Sequence, residues 1–156
     1  MKAVILGGAG AQAMFTVREL VRTDVFDEIV IADINLANAQ KAAGEIASPK
    51  ICVQQVDVLD KPGLANAITD ADVVVNCTGP YALLCPPIME VVLEVGTNYI
   101  DYCDDIVAHE AIFTTENMAI AEEKGITVLV GVGCSPGLAP LIVMHAASYM
   151  LSLIHI

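Results

Sequence analysis

Apolar residues in this chain gather in short unbroken runs instead of alternating with polar ones. Six such runs, rich in Val and Ile, occupy residues 3–6, 29–32, 51–55, 73–76, 98–101 and 127–130. Strands buried on both faces carry this signature, because neither face meets water. Between the runs, helical spacing predicts helices over residues 11–22, 36–47, 62–68, 86–95, 106–124 and 138–150. Gly96 and Gly125 follow helical stretches, at the position where a left-handed residue ends a helix. Asp33 and Asp60 stand just ahead of helices, where a carboxylate can cap. Alternating strands and helices predict an α/β fold of the Rossmann-like, doubly wound kind. It has a parallel sheet of about six strands, helices on both faces and right-handed crossovers. No linker divides the 156 residues, a length suited to one domain.

Composition narrows the partners. Nineteen acidic residues against seven basic ones give a net charge of -12. So few cations exclude nucleic acid and anionic membrane surfaces as partners. A dinucleotide stays open, since backbone N–H groups hold a pyrophosphate without basic side chains. The five cysteines (Cys52, Cys77, Cys85, Cys103, Cys134) form no CxxC pair and no metal-type spacing with histidine. They read as reduced thiols of a cytoplasmic protein with no bound metal. Met1-Lys2 runs straight into a strand, with no signal peptide. Residues 125–156 contain no charged side chain, but Gly131, Gly133, Pro136, Gly137 and Pro140 interrupt them. No span of about 20 apolar residues remains for a bilayer, so a buried strand and a buried helix are expected there.

The first motif spans Lys2 to Met14, KAVILGGAGAQAM. Read as GxGxxA, it assigns the tight turn to Gly8 and close approach of a pyrophosphate to Gly10. Ala13 then brings the helix close to the strand. Ala9, Ala11 and Gln12 complete the turn, and the helix start offers free N–H groups to phosphate oxygens. The second motif is the run Ile29 to Asp33, which puts a carboxylate at the end of the second strand. That is the place, about 20 residues past the glycines, where an acid accepts the ribose hydroxyls of a dinucleotide. Asp33 repels a 2′-phosphate and Ile34 brings no compensating cation, so NAD is favoured and NADP remains possible.

Later strand ends extend this crevice. Asp57 and Val58 follow the third strand and are placed beside the adenine. Cys77, Thr78 and Gly79 end the fourth and are expected to run along the cofactor, since open α/β sheets bind ligands at this edge. The fifth strand ends in Tyr99-Ile100-Asp101-Tyr102-Cys103-Asp104-Asp105, whose carboxylates and phenols fit an amine-bearing substrate or the cap of the next helix. The sixth ends in the loop Gly131 to Gly137 on the same edge. Cys134 has no histidine near it in sequence to activate it, while His109 and His145 fall within helical patterns.

With ILGGAGAQ, IVIADIN, VDV (Val56 to Val58), DVVVNCTGPY, YIDYCDD and GVGCSPGLAP in order, residues 2–145 resemble the N-terminal nucleotide-binding domain of the saccharopine dehydrogenase-like family. The resemblance implies a two-domain, NAD- or NADP-dependent oxidoreductase that acts on an amine of an amino-acid-like small molecule. It implies pyrophosphate contacts from Gly8 to Gln12, a ribose contact at Asp33 and Cys77–Tyr81 between nicotinamide and substrate. Pro80, Tyr81, Tyr102 and Asp104 then face the substrate, and no acid–base catalyst is assigned. A substrate and dimerisation domain is expected after Ser135-Pro136-Gly137, with the full-length protein a homodimer. On this reading residues 1–150 are the NAD(P)-binding domain and the C-terminal domain is absent. Residues 151–156, LSLIHI, are a non-native tail, since their codons CTG-TCT-CTT-ATA-CAC-ATC resemble a transposon sequencing adaptor. A short-chain dehydrogenase is disfavoured, because no tyrosine has a lysine four residues on. A non-catalytic Rossmann redox sensor and an enoyl-reductase-like enzyme are the remaining alternatives.

Overall fold

Strand β1 (Lys2–Leu6) lies at the middle of the sheet because every one of its side chains from Ala3 onward is buried. In the computed structural model, which describes residues 1–149, β1 pairs in parallel with β2 (Glu28–Asp33) and with β4 (Val73–Asn76). The remaining strands are β3 (Ile51–Gln55), β5 (Asn98–Asp101) and β6 (Val128–Leu129). All six are parallel in the order β3-β2-β1-β4-β5-β6, the doubly wound Rossmann arrangement expected from the alternating pattern.

Two apolar layers follow from strand alternation. Ala3, Ile5, Ile29, Ile31, Val73 and Val75 face α1 (Ala11–Arg22) and α2 (Leu36–Ile46). Their neighbours Val4, Leu6, Val30, Ala32, Val74 and Tyr99 face the other way. That side packs against α3 (Lys61–Ile68), α4 (Tyr81–Val95) and α5 (Ile106–Ile112). Gly96 and Gly125 end α4 and α6 (Thr115–Lys124) with φ of +83° and +64°, as their positions required.

The expected helix over residues 106–124 is two helices, α5 and α6. Thr114 caps α6 by accepting from Asn117 N at 3.1 Å, and the Asn117 side chain donates to Ile112 O at 2.9 Å. These local bonds outcompete a continuous helix at the break. The helix expected to begin at Pro86 begins at Tyr81, so Pro86 and Pro87 lie inside it. Lacking N–H groups, they leave the carbonyls of Ala82 and Leu83 without α-helical donors. Asn35, not Asp33, caps α2, and Asp60 occupies the α3 cap position without a side-chain hydrogen bond.

Burial on both faces fails at the sheet's ends. In β3, Cys52, Gln54 and Gln55 are exposed, and β6 is two residues long with Leu129 about half exposed. The loop expected from Gly131 to Gly137 contains an irregular helical turn, Cys134–Leu138, with Ser135 extended, and the helix expected from Leu138 is present as α7 (Ala139–Ala147) but is not buried. Leu141, Ile142, Val143 and Met144 of α7 are all exposed, because among the described residues nothing packs over them. No described helix is long and apolar enough to cross a membrane. The suspected tail 151–156, the end of the helix pattern at Met150 and His155 lie outside the described residues.

Burial sorts the effects of substitution. Ile5 is 0% exposed and Phe15 of α1 is 70% exposed. Truncating Ile5 to Ala should cost about 2–5 kcal/mol in urea unfolding. Phe15→Ala should stay within about 0.5 kcal/mol.

Candidate functional site

The edge carrying the strands' carboxyl ends is built from the glycine turn outward. Gly7 takes φ +68°, and a Cβ there would lie 3.0 Å from Thr78 Cγ2 and 3.2 Å from Cys77 O. The left-handed residue of the turn is therefore Gly7, one position ahead of the Gly8 to which the motif assigned it. Gly8 is needed for a different reason: its N–H donates to Ala32 O at 3.1 Å, and a Cβ would sit 2.9 Å from Ile5 O. Gly10 is the N-cap of α1, and Ala13 is buried against the sheet as the motif required. No side chain caps α1 and no acid stands in its first turn, so the amides of Ala11 and Gln12 are free for an anion. The shape and dipole of this cradle fit a dinucleotide pyrophosphate.

Asp33 lies beside the cradle. Its Oδ2 accepts from Ala9 N at 3.3 Å and its Oδ1 from Asn35 N at 3.0 Å. A crevice of about 340 Å³ opens from there, walled by Gly7, Asp33 and Ile34, by Val56 to Leu59, and by Cys77 to Gly79 with Leu84. Asp57 holds its own loop in shape by accepting from Leu59 N at 2.9 Å. Asp33, Ile34, Asp57 and Val58, expected at the ribose and adenine, thus share one crevice with Cys77, Thr78 and Gly79, expected to run along the cofactor toward the nicotinamide. Gly7, Val56, Leu59 and Leu84 join them, and the Gly7-Gly8 doublet was the one sequence signal for the first of these.

A second crevice, about 540 Å³, lies on the same edge and gathers Gln12, Tyr81, Tyr102, Asp104 and Gly133 to Ser135. Pro80 lines neither crevice; it is the N-cap of α4, with a cis peptide bond to Gly79. The Tyr102 hydroxyl is shared with Thr16 Oγ1 and receives the Cys77 thiol at 3.2 Å.

Behind both crevices runs a buried polar chain that the sequence reading missed. Thr78 donates to Asn76 Oδ1 through its N–H at 3.0 Å and through its hydroxyl at 2.6 Å. Asn76 Nδ2 donates to Tyr99 Oη at 2.9 Å, and Tyr99 Oη to Asp101 Oδ2 at 2.8 Å. Asp101 Oδ1 accepts from Cys103 N at 3.0 Å and from Gly131 N at 2.9 Å. Asn76, Tyr99 and Asp101 are all 0% exposed, and Asn76 and Asp101 are register partners at the ends of neighbouring strands. The available signal was a polar residue closing each of two apolar runs. Cys85, Asp101 and Cys103 also place a ligand-type atom each within 4.8 Å of one another. Among the described residues, no buried side-chain nitrogen or oxygen lacks a partner, so the Asp101 carboxylate in this cluster is satisfied by the chain itself.

These features define a dinucleotide-binding domain of the Rossmann type. The chain belongs to the saccharopine dehydrogenase NADP-binding domain family, matched over residues 3–129. The family takes a nicotinamide coenzyme, and it is described by NADP, where the reading of Asp33 and Ile34 favoured NAD. Carboxyaminopropylagmatine dehydrogenase of Synechocystis is 24% identical over 99% of this chain and 40% of that protein. Saccharopine dehydrogenase-like oxidoreductase of Mus musculus is 24% identical over 94% of this chain and 37% of that protein. The chain thus spans well under half the length of these relatives. Apo saccharopine dehydrogenase (L-Glu forming) of Saccharomyces cerevisiae shares the fold with a TM-score of 0.74 and 24% identity, over 94% of this chain and 30% of that one. Biliverdin reductase of Synechocystis, solved with biliverdin and NADP+, shares it with a TM-score of 0.59 and 21% identity, over 83% of this chain and 37% of that one.

Burial behind the crevices sets an alkaline limit. It pushes the Cys77 thiol up to about 11, against the opposing hydrogen bond to Tyr102, and the Cys85 thiol up to about 12. Both thiols are neutral in folded and unfolded chains below the ordinary thiol range, so their contribution is fully present there. Above it the unfolded chain ionises first, and stability is lost as pH rises through the folded values. The urea midpoint should be flat from about pH 6 to 8 and fall from about pH 9 upward. A Cys77→Ala, Cys85→Ala double variant should fall less steeply.

Proposed function

We propose that this chain is the coenzyme-binding part of a nicotinamide-dependent oxidoreductase acting on an amine of an amino-acid-like small molecule. The observation that carries the reading is the pair of crevices on one sheet edge, on either side of the uncapped α1 start. The first has the carboxylate, loops and glycines suited to adenosine and pyrophosphate. The second offers Asp104 as an exposed carboxylate for a cationic amine, flanked by Tyr81, Tyr102 and Gln12.

A bound nicotinamide supplies hydride transfer to or from the substrate carbon that bears nitrogen. The chain's own part is to bind and orient. Gly7, Gly8 and Gly10 bring backbone close to the pyrophosphate, with Ala9, Ala11 and Gln12 around them. Asp33 accepts ribose hydroxyls, with Ile34, Asp57 and Val58 beside the adenine. Cys77, Thr78 and Gly79 line the first crevice and carry the cofactor on toward the nicotinamide, and Pro80 sets the turn into α4. No proton-transfer residue is assigned.

The domain division belongs to the same reading. Residues 1–150 form the coenzyme domain and 151–156 a foreign tail, and the relatives' greater length accommodates a second, substrate-binding domain and a homodimer. The exposed apolar side of α7 suits burial against such a domain. Five free cysteines suit a reducing cytoplasm.

Titration of the chain with NADH and with NADPH, followed by coenzyme fluorescence, tests the coenzyme assignment. NADH should saturate, and Asp33→Ala should weaken it about tenfold or more, the worth of hydrogen bonds to a charged group. A chain that binds neither coenzyme refutes the proposal.

A further inference from the structure

Seven cationic side chains stand against nineteen acidic ones, and six of the seven are engaged. Lys2 meets Asp70 and Glu28, Arg18 meets Glu45, Arg22 meets Glu19 and Lys61 meets Glu90. Lys50 and Lys124 donate to the carbonyls of Thr23 and Glu94. Among the described residues, Lys41 alone has no ion pair or hydrogen bond.

Its place is informative. Lys41 and Asn38 project from one face of α2, three residues apart, into a hollow of about 170 Å³ whose other wall includes Ala9 of the glycine turn. The Asn38 side chain is likewise without a hydrogen-bond partner among the described residues. Ala9 donates its N–H to the Asp33 carboxylate, so the hollow and the ribose-binding crevice meet at that bond. Its volume is several times the ~30 Å³ share of one water, room for a phosphate group with hydration. Glu45 also borders the hollow, but Arg18 lies 3.9 Å from it and offsets its charge.

From this geometry we infer that Lys41 and Asn38 form the seat for the 2′-phosphate of NADP, in place of the basic residue missing at Ile34. The inference rests on the coenzyme reading above and deepens it. The two negative oxygens of Asp33 already accept from two backbone amides, which lessens their repulsion of a neighbouring phosphate. Lys41 supplies a point charge and Asn38 an amide donor on the outer side, so the site takes both coenzymes: NADH through Asp33, and NADPH with the added contact.

The chain and its Lys41→Gln variant are titrated with NADPH, NADH and adenosine 2′,5′-bisphosphate. Lys41 is exposed, and equal thermal midpoints will show that the variant is folded. Lys41→Gln should weaken NADPH and adenosine 2′,5′-bisphosphate about tenfold and NADH less than about twofold, since one charge-assisted contact is lost. The advantage of NADPH over NADH should also shrink as salt is raised. NADPH binding that the variant leaves unchanged overturns the inference while the coenzyme reading stands. So does equal weakening of both coenzymes. A wild-type chain that binds neither coenzyme overturns both.

Discussion

The carboxyl edge of the sheet depends on a line of buried hydrogen bonds from Thr78 through Asn76 and Tyr99 to Asp101 and Gly131. A parallel ladder fixes strands only along their length. Where the ladder ends, each chain is free to diverge, and three loops leave this sheet within a few residues of one another. The polar line ties the loops after β4, β5 and β6 to a common frame. An unpaired polar group at 0% exposure would be costly, so the arrangement is close to all-or-none. The crevice walls inherit their position from it.

The middle of the sheet supplies the other half of that frame. Because β1 sits between β2 and β4, successive crossovers leave in opposite directions and a gap opens at the end of β1. Gly7 and Gly8 fill the gap with backbone alone, at distances where a Cβ would meet Ile5 O or Thr78. A chain with a net charge of -12 can thereby present a local anion site, since oriented amides and an uncapped helix start do not depend on net charge. Long-range repulsion and short-range capture coexist because screening shortens the former, while the latter acts at contact.

The two faces of the fold are unequally finished. Around β1, β2 and β4 both apolar layers are covered by helices, whereas near β6 and α7 apolar residues meet solvent. The longer relatives carry more chain than this one, and the exposed segment is where the family match has already ended, at residue 129.

Local pattern in the sequence determined a good deal. The strands β3, β4 and β5 and the helix α1 have the bounds that the apolar periodicity predicts, and the glycines after α4 and α6 take the left-handed form. The glycine turn and Asp33 were legible because a tight backbone approach tolerates few residue types. Tertiary structure decided what depends on neighbours distant in sequence. It put the left-handed residue at Gly7, where Thr78 and Cys77 press from β4. It split the long helix at Thr114, and it left α7 uncovered against the expectation from hydropathy. It joined Asn76, Tyr99 and Asp101 into one network, and brought Lys41 of α2 beside Ala9 of the turn. A periodic pattern reports how each segment would bury itself; it carries no information on which segment arrives opposite, and those partners set the edge of the sheet.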